Sequence, residues 1–177
     1  MSLVLIGNII ALIASFLILI ISYLKNKKDI IKVQTLQVIL LAISNIVLGG
    51  ITGAITNSIT VIRNILCYKE KLTKKKAIVI ATLIATLGLL FNDSGLIGLL
   101  PLSSTIIYTL FINTKDPIKL KLLILMNLVF WGIYDLTIKS YTSAFFEFTG
   151  SISSVVTIIQ MTKNNKNYKI NEQLQEA

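Results

Sequence analysis

Long apolar runs alternate with short polar breaks along nearly the whole chain. Seven such runs stand out: Leu3–Leu24, Val33–Gly49, Ile51–Tyr68, Ala77–Phe91, Gly95–Ile112, Lys119–Ile138 and Ser143–Thr162. Most approach the roughly 18 to 20 residues that a helix needs to cross a hydrocarbon core about 30 Å thick. The pattern predicts an all-α integral membrane protein with seven transmembrane helices. Its weakest boundary is Gly49-Gly50, where no charge marks the turn; merging the second and third runs would leave six spans. The first run has no basic stretch ahead of it and is too long for the apolar part of a signal peptide. It reads as a retained helix.

The lysines then give the spans a direction. Lys25, Lys27, Lys28 and Lys32 occupy the first connection, Lys69, Lys71, Lys74, Lys75 and Lys76 the third, and Lys115, Lys119 and Lys121 the fifth. Lys163, Lys166 and Lys169 follow the last run, whereas the even connections hold only Lys139. Positive charge is retained on the cytoplasmic side of short loops. The N-terminus is therefore expected outside and the C-terminus inside, with the lysines as solvated loop charges. The polar tail, residues 164–177, is expected to be cytoplasmic and disordered.

A weak internal repeat fits the same arrangement. "NIVLGGI" (Asn45–Ile51) resembles "NLVFWGI" (Asn127–Ile133), and "TNSIT" (Thr56–Thr60) resembles "TGSIS" (Thr149–Ser153). Both matches join a run to the one four places later. Runs one to three (about residues 3–69) and five to seven (about 95–163) become parallel three-helix units, and run four (about 77–91) an inverting linker. Chance similarity between apolar helices is the competing explanation. Parallel repeats of this kind occur in transporters.

Composition supports the membrane reading and narrows the chemistry. Of 177 residues, 54% are hydrophobic and the mean hydropathy is +0.80, far above the soluble norm. The net charge of +9 follows from loop topology, so nucleic acid is not an expected partner. A single cysteine, Cys67, excludes an internal disulfide, and with no histidine a zinc or haem site is not expected. No cofactor or metal is anticipated.

Polar side chains within the runs are the candidate chemistry, since such groups usually face a protein interior or a wet cavity. Asn57 lies near the middle of the third run beside the small residues Gly53, Ala54 and Ser58. Arg63, six residues on, stands about 9 Å of helix rise from Lys69 and is expected to snorkel to the cytoplasmic headgroups as an anchor. Asn127, Trp131 and Asp135 follow one another at four-residue steps along one helix face. Glu147 opens the seventh run, with Ser151, Ser154 and Thr157 at helical spacing. Pro101, ahead of Ser103, Ser104 and Thr105, removes a backbone bond and marks either a hinge or a static kink. Each amide or hydroxyl has a plainer role available, as a bond between neighbouring helices.

"NSITVIRN" in the third run, "LLPLSSTIIYTLF" in the fifth and the stretch from Glu147 to Ser154 in the seventh resemble the YgjV family of bacterial inner-membrane proteins. The resemblance covers the chain apart from the tail, and it implies a multi-pass location in the bacterial plasma membrane. That family is in turn similar to the MtN3-like group of SWEET and PQ-loop transporters. This wider likeness implies a three-plus-one-plus-three, SWEET-like arrangement and a transport role. It also implies that Asn57 stands where those transporters place a pocket asparagine, with Gly150 as its repeat counterpart, and that Trp131 lines the pocket. No Pro-Gln pair occurs in this chain, which leaves the substrate class open.

The expectation is a facilitator or transporter for a small polar solute. Its pocket would lie between the units and be lined by Asn57, Asn127, Trp131 and Ser154, with alternating access. Pro101 would serve gating, and Asp135 and Glu147 would carry protons if flux is coupled. The alternative is a membrane scaffold or accessory subunit whose amides join helices. With no histidine and no close carboxylate pair, an enzyme is not expected. Partners are the lipid bilayer and an unidentified solute, with self-association left open.

Overall fold

A computed structural model describes residues 2–175 of the chain, with side chains described through Asn164. Seven helices account for nearly all of it: α1 (Leu3–Tyr23), α2 (Lys27–Leu48), α3 (Ile51–Tyr68), α4 (Lys74–Leu90), α5 (Gly95–Phe111), α6 (Pro117–Thr137) and α7 (Tyr141–Gln175). The tail set apart by sequence lies outside the described residues in its side chains and at its end, while its backbone to Gln175 continues α7. Among the described residues, four spans are long and apolar enough to cross a membrane: α1, α2, α6 and the part of α7 from Tyr141 to Asn164. Helix α5 is apolar but shorter.

Local chemistry sets the boundaries. Asn26 caps α2 by accepting the Lys28 N–H through its side chain, so this helix begins at Lys27, six residues ahead of its apolar run. Asp116 caps α6 in the same way, with Pro117 in the first turn where no backbone donor is needed. The uncertain Gly49-Gly50 boundary is a true break. Gly49 adopts the left-handed conformation (φ +80°) and ends α2, a geometry that glycine adopts without steric cost.

The helices form a ring in the order α1, α2, α3, α5, α6, α7 and back to α1, with α4 packed outside against α3 and α5. The first three helices fill one half of the ring and the last three the other. Helix α1 packs along α7 over much of its length, whereas α3 and α5 meet over a short stretch and α4 fills their seam. Odd helices all begin at one face and even helices at the other. One face gathers the lysine-bearing connections, where Lys28 pairs with Glu70 at 2.7 Å and Lys27 bonds Asn113. The opposite face gathers the N-terminus, Gly49-Gly50, the Asp93 loop and Lys139.

Burial is inverted relative to a water-soluble protein. Phe16, Ile62, Val79, Phe145 and Ile152 are among many large apolar side chains that face outward. Ser15, Ser22, Ser44, Thr52, Thr56, Asn64 and Thr109 are all buried. Such a surface is stable in lipid and would be an aggregation hazard in water. The chain is a helical membrane protein.

Helix α3 begins without a side-chain cap of its own. Asp93, from the α4–α5 connection, supplies one. Its carboxylate accepts the Ile51 N–H at 2.8 Å and the Thr52 hydroxyl at 2.7 Å. Partial burial works against its ionisation, but the bonds from Thr52, Ile51 and Ser94 win and hold it below its ordinary value of 3.8. Asp93→Ala should lower stability by about 1–2 kcal/mol, as for a lost N-cap, read from thermal unfolding in detergent. Because the folded carboxyl is the stronger acid, its contribution is complete above about pH 4. It is lost as the pH falls through the depressed folded value. The variant and the parent should therefore converge in stability at strongly acid pH.

Candidate functional site: a polar cavity within the ring

The inner face of α3 follows from sequence spacing. Asn57, Thr60 and Asn64 recur every three or four residues with Arg63 beside them, and all four are buried. Isoleucines 51, 62 and 65 take the outer face. Arg63 is only 1% exposed. Its Nε and Nη2 donate to Asn64 Oδ1 at 3.0 and 2.7 Å, and its Nη1 donates to Thr109 Oγ1 at 3.3 Å. The guanidinium also lies over the Tyr108 ring, 4.7 Å from its centroid. The anchoring role expected of Arg63 is thus corrected. The side chain turns inward onto α5, where an aromatic face and two oxygens receive it, instead of rising to the headgroups.

Opposite α3, Trp131 of α6 donates its indole N–H to Thr105 of α5 at 3.2 Å, and Asn127 Nδ2 donates to Ser104 Oγ at 3.2 Å. Glu147 projects from α7 and is 2% exposed. Between these walls lies a cavity of about 40 Å³, lined by Gln34, Gln37, Asn57, Thr60, Arg63, Thr105, Asn127, Trp131 and Glu147, with aliphatic groups from α1, α2 and α6. At roughly 15 Å³ of free space per water, that admits about two or three waters. Three fully buried lining atoms have no protein partner: Asn57 Nδ2, Thr60 Oγ1 and Glu147 Oε2.

The structure therefore brings Asn57, Asn127 and Trp131 together, and adds Glu147 and Arg63. Ser154 is fully buried on α7 with an unpartnered hydroxyl, but it does not line the cavity. Asp135 is buried one turn beyond Trp131, also with an unpartnered oxygen, and likewise stands away from the lining. Pro101 lies within α5 one turn before Thr105, and its carbonyl accepts the Ser104 hydroxyl. Gln34 and Gln37 stand in the first turns of the apolar run that opens at Val33, where polar residues read as its solvated edge. Their three-residue spacing in a common register with Leu41 was the available signal.

Cross-ring bonds lie on either side of the cavity. Toward the lysine-bearing face, Tyr108 donates to Gln34 Oε1 at 3.2 Å. Lys121, expected in a solvated loop, is instead buried, and its ammonium donates to the Ile21 and Ser22 carbonyls at 3.0 and 2.6 Å. Those carbonyls belong to the last turn of α1, where helix geometry leaves acceptors unfilled and favours a cation. Toward the opposite face, the Gly53 N–H donates to the Tyr134 hydroxyl at 3.1 Å. Asn8 donates to the Lys139 carbonyl and accepts the Thr142 N–H.

A family model described as a bacterial inner membrane protein, Imp-YgjV, matches residues 5–165. The chain belongs to that family. No curated protein and no solved structure matches it.

Tyr134→Phe removes a hydroxyl from a buried backbone donor and leaves the ring intact. It should cost about 1–2 kcal/mol in thermal unfolding. Protection of the Gly53 amide in hydrogen exchange should fall, while amides near Tyr108 stay unchanged.

Proposed function

We propose that this member of the Imp-YgjV family is a transporter for a small polar solute, held between the two three-helix units. The observation that carries the reading is the unpartnered state of Asn57 Nδ2, Thr60 Oγ1 and Glu147 Oε2 around one cavity. A buried polar atom without a partner costs about 1–3 kcal/mol. Three such atoms facing one cavity form a place where a polar solute can satisfy them together. Bonds join the two units across the ring on either side of the cavity, and rocking of one unit against the other would break each in turn. The wider likeness to MtN3-type transporters points the same way. The lysine-bearing face is assigned to the cytoplasm by the positive-inside rule, which puts the N-terminus outside and the C-terminus inside.

Within this reading Asn57 and Thr60 replace water around the solute, and Trp131 presents an apolar face to it. Glu147 supplies an acceptor from inside the ring. Pro101 loosens α5 beside Thr105, and Asp135, one turn from Trp131, offers a second carboxyl for proton-linked flux. Ser154 contributes to packing of α7 behind the site. The role is binding and passage, not catalysis.

The scaffold reading draws on a different observation. Asn127 and Trp131 do bond neighbouring helices. The two readings part at Asn57, whose amide nitrogen bonds nothing. Asn57→Ala should leave the unfolding temperature within a few degrees of the parent but lower solute uptake into proteoliposomes roughly tenfold, the equivalent of about 1.4 kcal/mol. Uptake would be followed over sugars, amino acids, organic acids and polyols. A scaffold would take up none of them, and Asn57→Ala would leave it unaltered.

A further inference from the structure

Resting on that reading, we propose that the solute carries a carboxylate and that Arg63 recognises it. Arg63 is a cation enclosed by protein, in a helix that lies within a membrane. Among the described residues the only ion pair is Lys28–Glu70, at the lysine-bearing face, so no carboxylate neutralises the guanidinium directly. Its partners are an amide oxygen, a hydroxyl and an aromatic ring, none of them anionic. A guanidinium has five N–H groups. Three are taken by Asn64 and Thr109, which leaves one on each Nη without a protein acceptor.

The same side chain lines the cavity, and it does so beside further donors. Asn57 Nδ2 and Thr60 Oγ1, both unpartnered, lie on the same face of α3. This end of the cavity thus presents positive charge and unused hydrogen-bond donors. At the Arg63 end a neutral polyol would leave the charge uncompensated, and a cation would be repelled. A carboxylate supplies both the charge and two acceptor oxygens in a geometry that guanidinium binds side by side. Aliphatic walls from Ile18, Ile21, Val38 and Leu41 suit a short hydrocarbon body.

Glu147 lines the same cavity but is not the counter-ion. From the common face, Glu147 is about 9 Å into α7 and Arg63 about 18 Å into α3, by helix rise. No bond joins them. Lys121, the other cation buried in the ring, shows the contrast. Its ammonium is answered by two carbonyls at a helix end.

The chain contains one tryptophan, Trp131, and it lines the cavity, so intrinsic fluorescence reports occupancy without a label. Purified wild-type protein would be titrated with acetate, propionate and butyrate, and with acetamide, propionamide and butyramide. Sodium chloride would hold the ionic strength constant. At least one carboxylate should give a saturable change, with its amide at least roughly tenfold weaker, a difference near 1.4 kcal/mol. Arg63→Gln should weaken the carboxylate response by a similar factor, and Arg63→Lys by less.

An amide that equals its carboxylate would overturn the proposal, as would an Arg63→Gln protein that titrates like wild type. The comparison between solutes on wild-type protein needs no variant and stands even if Arg63→Gln fails to fold. Saturable responses to the amides alone would overturn the carboxylate while leaving the transporter reading in place. Silence toward every solute, together with no uptake in proteoliposomes, would overturn both.

Discussion

Lipid offers no hydrogen bonds, and this one constraint organises the whole molecule. Every serine, threonine, asparagine and glutamine within a span must be answered by another part of the chain, by water or by a ligand. The helices meet the demand by turning polar stripes inward. Several hydroxyls bond the carbonyl four residues back in their own helix, as Thr56, Thr109 and Thr157 do. Others reach across, as Ser44 does to the Gly7 carbonyl and Ser22 to the Gly150 carbonyl. Side-chain packing and the bonds between helices hold the ring together, because hydrophobic burial gives little drive where the solvent is itself apolar.

The two halves of the ring are related in position but not in detail. Units α1–α3 and α5–α7 follow one another with the same direction, and α4 is the element that makes this direction possible. It packs on only one of the two seams between units, the one joining α3 and α5. Gly88 on α4 allows the approach: an added Cβ would run into Leu102 of α5. The other seam, between α7 and α1, needs no such filler because the two helices lie directly together. Any rocking of one unit against the other therefore works against two unlike seams.

Much of the fold was legible in the chain. Run length gave the helices and lysine placement gave the two faces, because both depend on membrane thickness and charge, which act on composition. Asn57, Asn127 and Trp131 were legible for a related reason: polar or indole groups deep in an apolar run have few uses. The role of Asp93 was not legible. It caps a helix that begins 42 residues earlier, through a contact that only tertiary structure creates. Lys121 was hidden by the rule that identified its loop. Counted with its neighbours it is one more cytoplasmic charge, and only the arrival of the α1 terminus beside it turns that charge inward.

Arg63 and Lys121 set the same problem and receive different answers. Each places a full charge inside the ring, and burying a charge without compensation is costly. At Lys121 the fold itself compensates, since the carbonyls ending α1 are fixed, close and without other duties beyond the Thr157 hydroxyl at Ser22. The ammonium is thereby a structural tie between the two units. At Arg63 the fold compensates only in part. Tyr108 screens one face and Asn64 holds one edge, which fixes the guanidinium in orientation without neutralising it. A group held by an amide and an aromatic ring yet left short of negative charge, at the wall of a cavity, is what the proposed carboxylate would complete. The two cations thus differ in what answers them: the end of a helix at Lys121, and only neutral groups at Arg63.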